Sequence, residues 1–285
     1  YMSFAEGVEE GLIRFVGDDC KQALYEAIES RQVRPGLCKT AGLKLVYSPL
    51  NGSGLVPVTQ VLKDIGITDI TIVPEQEYPN GYFTTCSYPN PEIFAALEKG
   101  LDLAKETGAD LMLATDPDAD RLGVYVKDAK SGEYIPLTGN MSGSLLCEYV
   151  LSQKQAEGKI PADGQVVKSI VSTNLIDAVA KAYGAELIEV LTGFKWIGKQ
   201  ILKNETTGTG TYLFGMEESY GCLIGTYARD KDAISATAAL CEAAAYYKQK
   251  GMTLWDAMVA MYEKYGYYKD SVKSIGLSGI EGLAK

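Results

Sequence analysis

The hydrophobic residues of this chain occur either in short runs or at intervals of three and four positions. Short apolar runs bounded by turn-forming residues predict strands, and the wider spacing predicts amphipathic helices. Strands are expected at residues 43–47, 69–73, 110–115, 122–126, 165–171, 186–190 and 212–214. Helices are expected at residues 3–31, 55–65, 92–107, 140–153, 173–183, 194–204, 232–249 and 253–264.

The order strand, helix, strand, helix, strand occurs twice along the chain. Such alternation is typical of sheets whose parallel strands are covered by helices on both faces. We therefore predict an α/β fold with two consecutive α/β/α three-layer domains, whose sheets are mixed and mainly parallel. We expect the domains to occupy residues 1–134 and 135–266, with residues 267–285 as the start of a linker or a further domain.

Composition narrows the possible functions. The 285 residues carry a net charge of −10, which argues against nonspecific binding to nucleic acid or to anionic membranes. The absence of histidine excludes Ser-His-Asp and Cys-His catalysis and His-based zinc sites. Six cysteines without a C-x-x-C pair predict buried free thiols in a cytoplasmic protein. No signal peptide or membrane helix is visible, and the start at Tyr1 hints at a removed upstream segment.

Three aspartates alternate in the turn after the third predicted strand: Asp116, Asp118 and Asp120. Carboxylates this close repel one another unless a cation lies among them, and such hard oxygen ligands favour Mg²⁺ or Ca²⁺. An EF-hand is excluded, because Arg121 and Lys127 stand where that loop needs Gly and Glu. The neighbouring arginine favours a metal and phosphate site, and the alternative is a solvated loop held by Asx turns.

Three other segments contain candidate binding residues. Gly215–Gly221 follows the third strand of the second unit and combines two acids and a hydroxyl with glycines. This segment therefore lies beyond the carboxyl end of a strand, in the same position within its unit as the aspartate loop, where ligands bind in such sheets. The alternative interpretation is a turn without a binding role. Thr192–Trp196 opens a helix in a manner suited to phosphate or simply to capping. In the segment Arg229–Asp232, the basic side chains of Arg229 and Lys231 either hold phosphate or lie on the surface, and Asp232 is a candidate N-cap.

Two segments of the first unit have less specific patterns. Asn51–Gly54 follows a strand but lacks the terminal Gly-Lys-Ser/Thr of a P-loop and the full glycine pattern of a dinucleotide site, so we predict a structural turn. The stretch 82–92 is rich in Tyr, Pro and Asn, and it either lines a cleft or packs as an ordinary loop.

Taken in chain order, four segments resemble the α-D-phosphohexomutase superfamily, which includes phosphoglucomutase and phosphomannomutase: Asp116–Arg121, Thr192–Gly198, Gly215–Gly221 and Arg229–Asp232. Residues 47–52 and 89–92 also look like family segments, although many relatives have His in place of Asn51. Members have four domains, and this chain resembles the second and third. Neither the serine loop of the first domain nor the phosphate loop of the fourth is present, while residues 276–285 resemble the entry into the fourth.

The resemblance implies a role for each matching residue. The implied Mg²⁺ ligands are Asp116, Asp118 and Asp120. The implied catalytic residues are two cationic side chains, Arg121 beside the phosphate and Lys231, which holds phosphate or assists proton transfer. Other residues are implied to bind the substrate by contacting sugar hydroxyls, by recognising the second sugar orientation or by holding phosphate. These are Thr192, Gly193, Lys195, Glu217, Ser219 and Arg229.

The implied activity is reversible phosphoryl transfer between O1 and O6 of a hexose phosphate, through a bisphosphorylated sugar and a phosphoserine that this chain lacks. Glucose phosphates are favoured over mannose and pentose phosphates. We expect the chain alone to be inactive, with its partner domains in other parts of the same protein. Two alternatives stay open: a haloacid-dehalogenase-like phosphatase with Asp116 as nucleophile, and a non-catalytic sugar-phosphate or cation-binding module.

Overall fold

The computed structural model describes residues 1–271, and within them the strands form two sheets. The first contains β1 (Lys44–Ser48), β2 (Asp69–Ile72), β3 (Leu111–Thr115), β4 (Leu122–Lys127) and β5 (Tyr134–Leu137). The second contains β6 (Gly164–Ser169), β7 (Glu186–Val190), β8 (Thr211–Met216) and β9 (Cys222–Leu223). The strand orders are β2-β1-β3-β4-β5 and β7-β6-β8-β9. The second sheet therefore repeats the arrangement of the first without its last strand.

Both sheets are mixed. The strand β1 runs parallel to β2 and β3, and β6 runs parallel to β7 and β8. The pairs β3–β4, β4–β5 and β8–β9 are antiparallel. The predicted α/β fold with mixed, mainly parallel sheets is thereby confirmed. The predicted division between residues 134 and 135 lies inside β5, and the domain boundaries stay a prediction.

Ten helices surround the sheets in the described residues: α1 (Phe4–Glu9), α2 (Asp18–Glu29), α3 (Cys38–Ala41), α4 (Leu55–Ile65), α5 (Phe94–Thr107), α6 (Gly139–Ala156), α7 (Leu175–Ala182), α8 (Lys195–Thr207), α9 (Ala233–Gln249) and α10 (Leu254–Tyr265). Side chains of β1 alternate between the two faces, as a pleated strand requires. Leu45 and Tyr47 join the large core cluster with α4, and Val46 joins a second cluster with Leu97 of α5. The first sheet is thus the middle of three layers.

The helices α6 and α9 join the two units. Both are buried along most of their length, and α9 contacts α2, α3 and α4 of the first unit as well as α6. The core cluster runs without a break from Leu113 of the first sheet through Leu145 and Ala243 to Phe214 of the second. Small alanine side chains let α9 approach its neighbours closely, so a single core fixes the sheets relative to each other.

Some sequence-based predictions were wrong in detail. Residues 3–31 form two helices rather than one, because Gly11 with φ +71° and Gly17 interrupt the helical run. The strand predicted to reach residue 171 ends at Ser169, and Ile170 and Val171 are exposed in the loop beyond it. The short strand β9 was not predicted. The predicted segment 267–285 lies largely outside the described residues.

The cysteines were predicted to be buried and free. All six are free, but only four are buried: Cys38, Cys147, Cys222 and Cys241. Cys20 is exposed because it lies on the solvent side of α2, and Cys86 is half-buried in a loop, where its Sγ–H donates to the Tyr88 carbonyl. Within residues 1–271, no helix is long and apolar enough to cross a membrane.

Candidate functional site

The three predicted metal ligands lie in the tight loop between β3 and β4. One carboxylate oxygen from each of Asp116, Asp118 and Asp120 lies within 4.8 Å of the others. The loop is closed by Asp116 Oδ1, which accepts the backbone N–H groups of Asp120 at 3.0 Å and Arg121 at 2.9 Å. Ala119 turns the chain with a φ of +56°. The conformation of the loop therefore places three carboxylate oxygens close together.

The charges of this loop fit a bound cation. Burial raises the pKa of Asp116 to about 7, and the charges of Asp120 and Asp118 add to the shift although two N–H bonds oppose it. A divalent cation would relieve this repulsion, and hard carboxylate oxygens are the ligands that Mg²⁺ prefers. The three residues can thus hold a metal ion, with remaining positions open to water or phosphate.

The segment Asn51–Gly54 directly supports the loop Asp116–Arg121, here called the metal loop. The backbone N–H and the hydroxyl of Ser53 both donate to the carbonyl of Pro117, at 2.8 and 2.9 Å. A Cβ on Gly52 would lie 2.2 Å from Pro117 Cα, so only glycine permits this approach. The prediction of a structural turn did not include this contact with the metal loop.

Arg121 and Lys231 flank the aspartates from opposite units. Lys231 precedes α9 in the second unit, and its Nζ lies 2.5 Å from Asp120 Oδ2 in the first. Burial alone would lower the pKa of Lys231, but the hydrogen bond and charge of Asp120 raise it overall. Arg121 Nη1 donates to Glu92 Oε1 at 2.9 Å. Two cationic side chains are therefore held beside the candidate metal ligands.

The segment Gly215–Gly221, here called the sugar loop after the role that the resemblance implies, touches the metal loop. The carbonyl of Tyr220 accepts the N–H of Leu122 at 3.0 Å. A Cβ on Gly139 would lie 2.1 Å from the Glu218 carbonyl oxygen, so α6 begins directly against this loop. Gly221 leaves room for the side chain of Lys231, since a Cβ on Gly221 would lie 2.2 Å from Lys231 Cδ. The two predicted segments therefore meet at one place.

The neighbouring acids of the sugar loop point to different partners. Glu217 is buried, burial raises its pKa, and its Oε1 accepts the N–H of Gly193 at 2.7 Å. Glu218 Oε2 instead accepts the hydroxyls of Ser169 at 2.8 Å and Ser172 at 3.4 Å. Glu217 thus links the sugar loop to the helix-opening segment, while Glu218 is bound to the loop after β6. Ser219 of the same loop is half-buried.

The remaining predicted site residues have no hydrogen bond or ion pair with the aspartates in the described part of the chain. Thr192 and Lys195 are exposed at the start of α8, and Lys195 Nζ lies 5.7 Å from the ring centroid of Trp196. Arg229 is not brought to the metal loop in this structure. Its guanidinium binds both carboxylate oxygens of Glu205 on α8, at 2.7 and 2.6 Å.

Comparison with known proteins identifies the family. Residues 23–132 match the model described as phosphoglucomutase/phosphomannomutase, alpha/beta/alpha domain II, and residues 138–265 match the corresponding domain III. The chain belongs to the phosphoglucomutase/phosphomannomutase family. This is a family of isomerases that transfer phosphoryl groups, so the superfamily resemblance is confirmed and the dehalogenase-like phosphatase is excluded.

Curated members of this family are longer than the chain. The phosphoglucomutase of Staphylococcus aureus strain MRSA252 is 34% identical over 251 residues, which are 88% of this chain and 44% of that protein. The phosphoglucomutase of Staphylococcus epidermidis strain ATCC 12228 is 32% identical over 277 residues, or 97% of this chain and 49% of that protein. The chain thus spans about half the length of these relatives.

Solved structures of the family share the fold. A putative phosphomannomutase from Thermus thermophilus superposes with a TM-score of 0.69 at 23% identity, covering 86% of this chain and 51% of that one. The open form of parafusin, a phosphoglucomutase from Paramecium, gives a TM-score of 0.64 at 20% identity, covering 88% and 42%.

Sequence reasoning missed several residues that hold this family site together. Glu92 lies in the family-like segment 89–92, for which the resemblance implies no role, although an acidic residue directly after Pro91 is a usable signal. Ser169 and Lys168 belong to no recognisable sequence pattern. Lys168 is fully buried, and its Nζ donates to the Thr173 carbonyl at 3.3 Å, which anchors the loop after β6. Glu92 and Ser169 pair with Arg121 and Glu218, which lie 29 and 49 residues away in the chain, and local patterns do not reveal such contacts.

Proposed function

We propose that this chain is the middle section of a phosphohexomutase, in which it binds Mg²⁺ and orients a hexose phosphate. The metal is held by Asp116, Asp118 and Asp120. The whole protein would interconvert glucose 1-phosphate and glucose 6-phosphate through a bisphosphorylated sugar, using a phosphoserine and a phosphate-binding domain outside this chain. A mannose or pentose phosphate is the alternative substrate. The cytoplasmic location expected from the free cysteines stays a prediction.

The observation that supports this proposal is the contact between metal loop and sugar loop. Asp120 pairs with Lys231 across the two units, and Leu122 bonds the carbonyl of Tyr220. We therefore expect a phosphorylated sugar that contacts Glu217 to place its phosphate near the aspartate loop. Phosphoryl transfer needs mainly such positioning, together with neutralisation of charge on the phosphoryl oxygens.

Each side chain has a distinct proposed role. Mg²⁺, when bound, would supply positive charge to the phosphoryl oxygens. Arg121 binds a phosphate oxygen through its N–H groups. The ammonium group of Lys231, which Asp120 keeps protonated, holds a phosphate oxygen or donates a proton to the departing sugar oxygen. Glu217 Oε2 accepts a sugar hydroxyl while Oε1 keeps its bond to Gly193. Ser219 provides a second hydroxyl contact.

Four further residues also contact the substrate. They recognise the second sugar orientation or hold phosphate, and they are Thr192, Gly193, Lys195 and Arg229. Arg229 reaches a phosphate only after leaving Glu205, with which it forms an exposed ion pair. Because exposed pairs contribute about 0–1 kcal/mol, a phosphate competes with Glu205 at little cost.

Metal binding is tested by calorimetric titration of the 285-residue chain with Mg²⁺. We expect weak binding, because three carboxylates without a phosphate leave much of the shell to water. Asp118→Asn is expected to weaken it further, whereas Asp102→Asn, an exposed acid on α5, serves as the matched control. Equal affinity of the two variants would show that Asp118 is not a ligand.

Sugar binding is tested through the fluorescence of Trp196, in a Trp255→Phe background that leaves a single tryptophan. Glucose 6-phosphate and glucose 1-phosphate are expected to change its emission more strongly than mannose 6-phosphate or ribose 5-phosphate. Glu217→Gln is expected to abolish the response. A coupled mutase assay of the chain alone is expected to read background, and clear turnover would contradict the proposal that the nucleophile lies elsewhere.

A further inference from the structure

The ion pair between Glu92 and Arg121 joins the loop before α5 to the metal loop. Arg121 Nη1 lies 2.9 Å from Glu92 Oε1, whereas Arg121 Nε lies 3.7 Å from Asp116 Oδ2 and 3.8 Å from Asp120 Oδ1. The guanidinium is thus bonded to an acid outside the metal triad and lies close to two acids within it. Its position decides which carboxylates carry a cationic partner.

Glu92 is itself held in place by local structure. Its backbone N–H donates to the side chain of Asn90 at 2.9 Å, which closes an Asx turn. The preceding Pro91 is buried against β4, where a Cβ on Gly123 would lie 2.6 Å from Pro91 Cβ. Gly123 lies two residues beyond Arg121, so the carboxylate of Glu92 is fixed relative to the metal loop.

A guanidinium and a divalent cation compete for the same carboxylate oxygens. The backbone of Arg121 cannot move away, because its N–H already donates to Asp116 Oδ1 at 2.9 Å. Only the side chain can change partner, and without Glu92 the nearest acids are Asp116 and Asp120. An arginine that settled there would replace part of the charge that a metal brings.

We propose that Glu92 is a positioning residue that holds the guanidinium of Arg121 outside the metal triad. Asp116 Oδ2 and Asp120 Oδ1 then stay available to a divalent cation, while Asp120 Oδ2 keeps Lys231 as its partner. The other N–H groups of Arg121 stay available to a phosphate oxygen. This inference rests on the proposed metal site. It gives a role to the loop before α5, which joins the site through an ion pair rather than through a ligand.

The test is a calorimetric titration of the 285-residue chain and its variants with Mg²⁺ alone. Glu92→Gln is expected to lower the association constant roughly three- to fivefold, the size expected for a partly exposed ion pair. Glu92→Asp, which keeps the charge but retracts it by one methylene, is expected to give a smaller loss. In an Arg121→Gln background, Glu92→Gln is expected to have little effect, since no guanidinium remains to enter the triad.

Glu75→Gln is the matched control, since Glu75 forms an ion pair of the same 2.9 Å length with Lys99 and its loss changes the net charge equally. An equal loss from Glu92→Gln with and without Arg121 would overturn the inference, because Glu92 would then act only as a charge or through stability. If Asp118→Asn weakens Mg²⁺ binding but Glu92→Gln does not, this inference alone fails. If the unmodified chain takes up no Mg²⁺, the proposed metal site and this inference both fail.

Discussion

The contact between Gly52 and Pro117 gives a sharp test of how the metal loop is supported. Replacing Gly52 by Ala places a Cβ 2.2 Å from Pro117 Cα, 2.6 Å from its carbonyl oxygen and 2.7 Å from its carbonyl carbon. All three are backbone atoms, so no side-chain rotation relieves the overlap. The added methyl group therefore pushes the two segments apart.

The size of the effect follows from these distances. Restoring the shortest ordinary contact of 3.4 Å from 2.2 Å requires a separation of roughly 1.2 Å. Overpacking of this kind costs about 1–3 kcal/mol. The two hydrogen bonds from Ser53 to the Pro117 carbonyl, at 2.8 and 2.9 Å, stretch as well, at about 1 kcal/mol each. We expect a loss of about 3–5 kcal/mol in the free energy of unfolding.

The same displacement reaches the candidate metal ligands. Pro117 lies between Asp116 and Asp118, so its movement changes the spacing of their oxygens. Because Mg²⁺ demands near-ideal distances of about 2.0–2.1 Å to its ligands, we expect the association constant for Mg²⁺ to fall at least about tenfold. Stability and metal affinity thus decrease together.

Urea unfolding and Mg²⁺ calorimetry measure the two effects. The matched control is Gly81→Ala, since a Cβ at Gly81 meets no atom within 4 Å and its φ is not in the left-handed region. We expect this variant to resemble the unmodified chain. If Gly52→Ala unfolds and binds Mg²⁺ like Gly81→Ala, then the segment Asn51–Gly54 does not support the metal loop as described.

Three further predictions concern groups around the site. Ser169→Ala removes the 2.8 Å bond to Glu218 and is expected to cost about 1.5 kcal/mol in urea unfolding and to weaken hexose-phosphate binding; unchanged sugar affinity would contradict a role in holding the sugar loop. Lys231→Met is expected to cost about 1 kcal/mol at low salt and less at high salt, since it breaks the pair with Asp120. Burial raises the pKa of Glu242 above its usual 4.5, so stability from this group falls as pH rises from about 4.5 through the raised pKa. Glu242→Gln should remove that part of the pH dependence, and parallel stability curves between about pH 4 and pH 8 would refute this reasoning.

Elements with a strong local pattern were predicted closely. The helix Leu55–Ile65 and the strand Glu186–Val190 have the bounds that the hydrophobic spacing gives. The aspartate triad was also predictable, because its three members stand within a five-residue segment and need no folding to be neighbours. Where a glycine or a serine redirected the chain, as at Gly11 or Ser169, periodicity alone placed the element ends wrongly.

The sequence by itself determined the α/β class, the repeated unit and the residues able to hold a metal, because periodicity and short motifs are properties of neighbouring residues. Only the tertiary structure decided what joins the site together. The pairs Asp120–Lys231, Glu218–Ser169 and Arg121–Glu92 are separated by 111, 49 and 29 residues in the chain. Such contacts depend on how two sheets share one core through α6 and α9, and no local pattern specifies that packing.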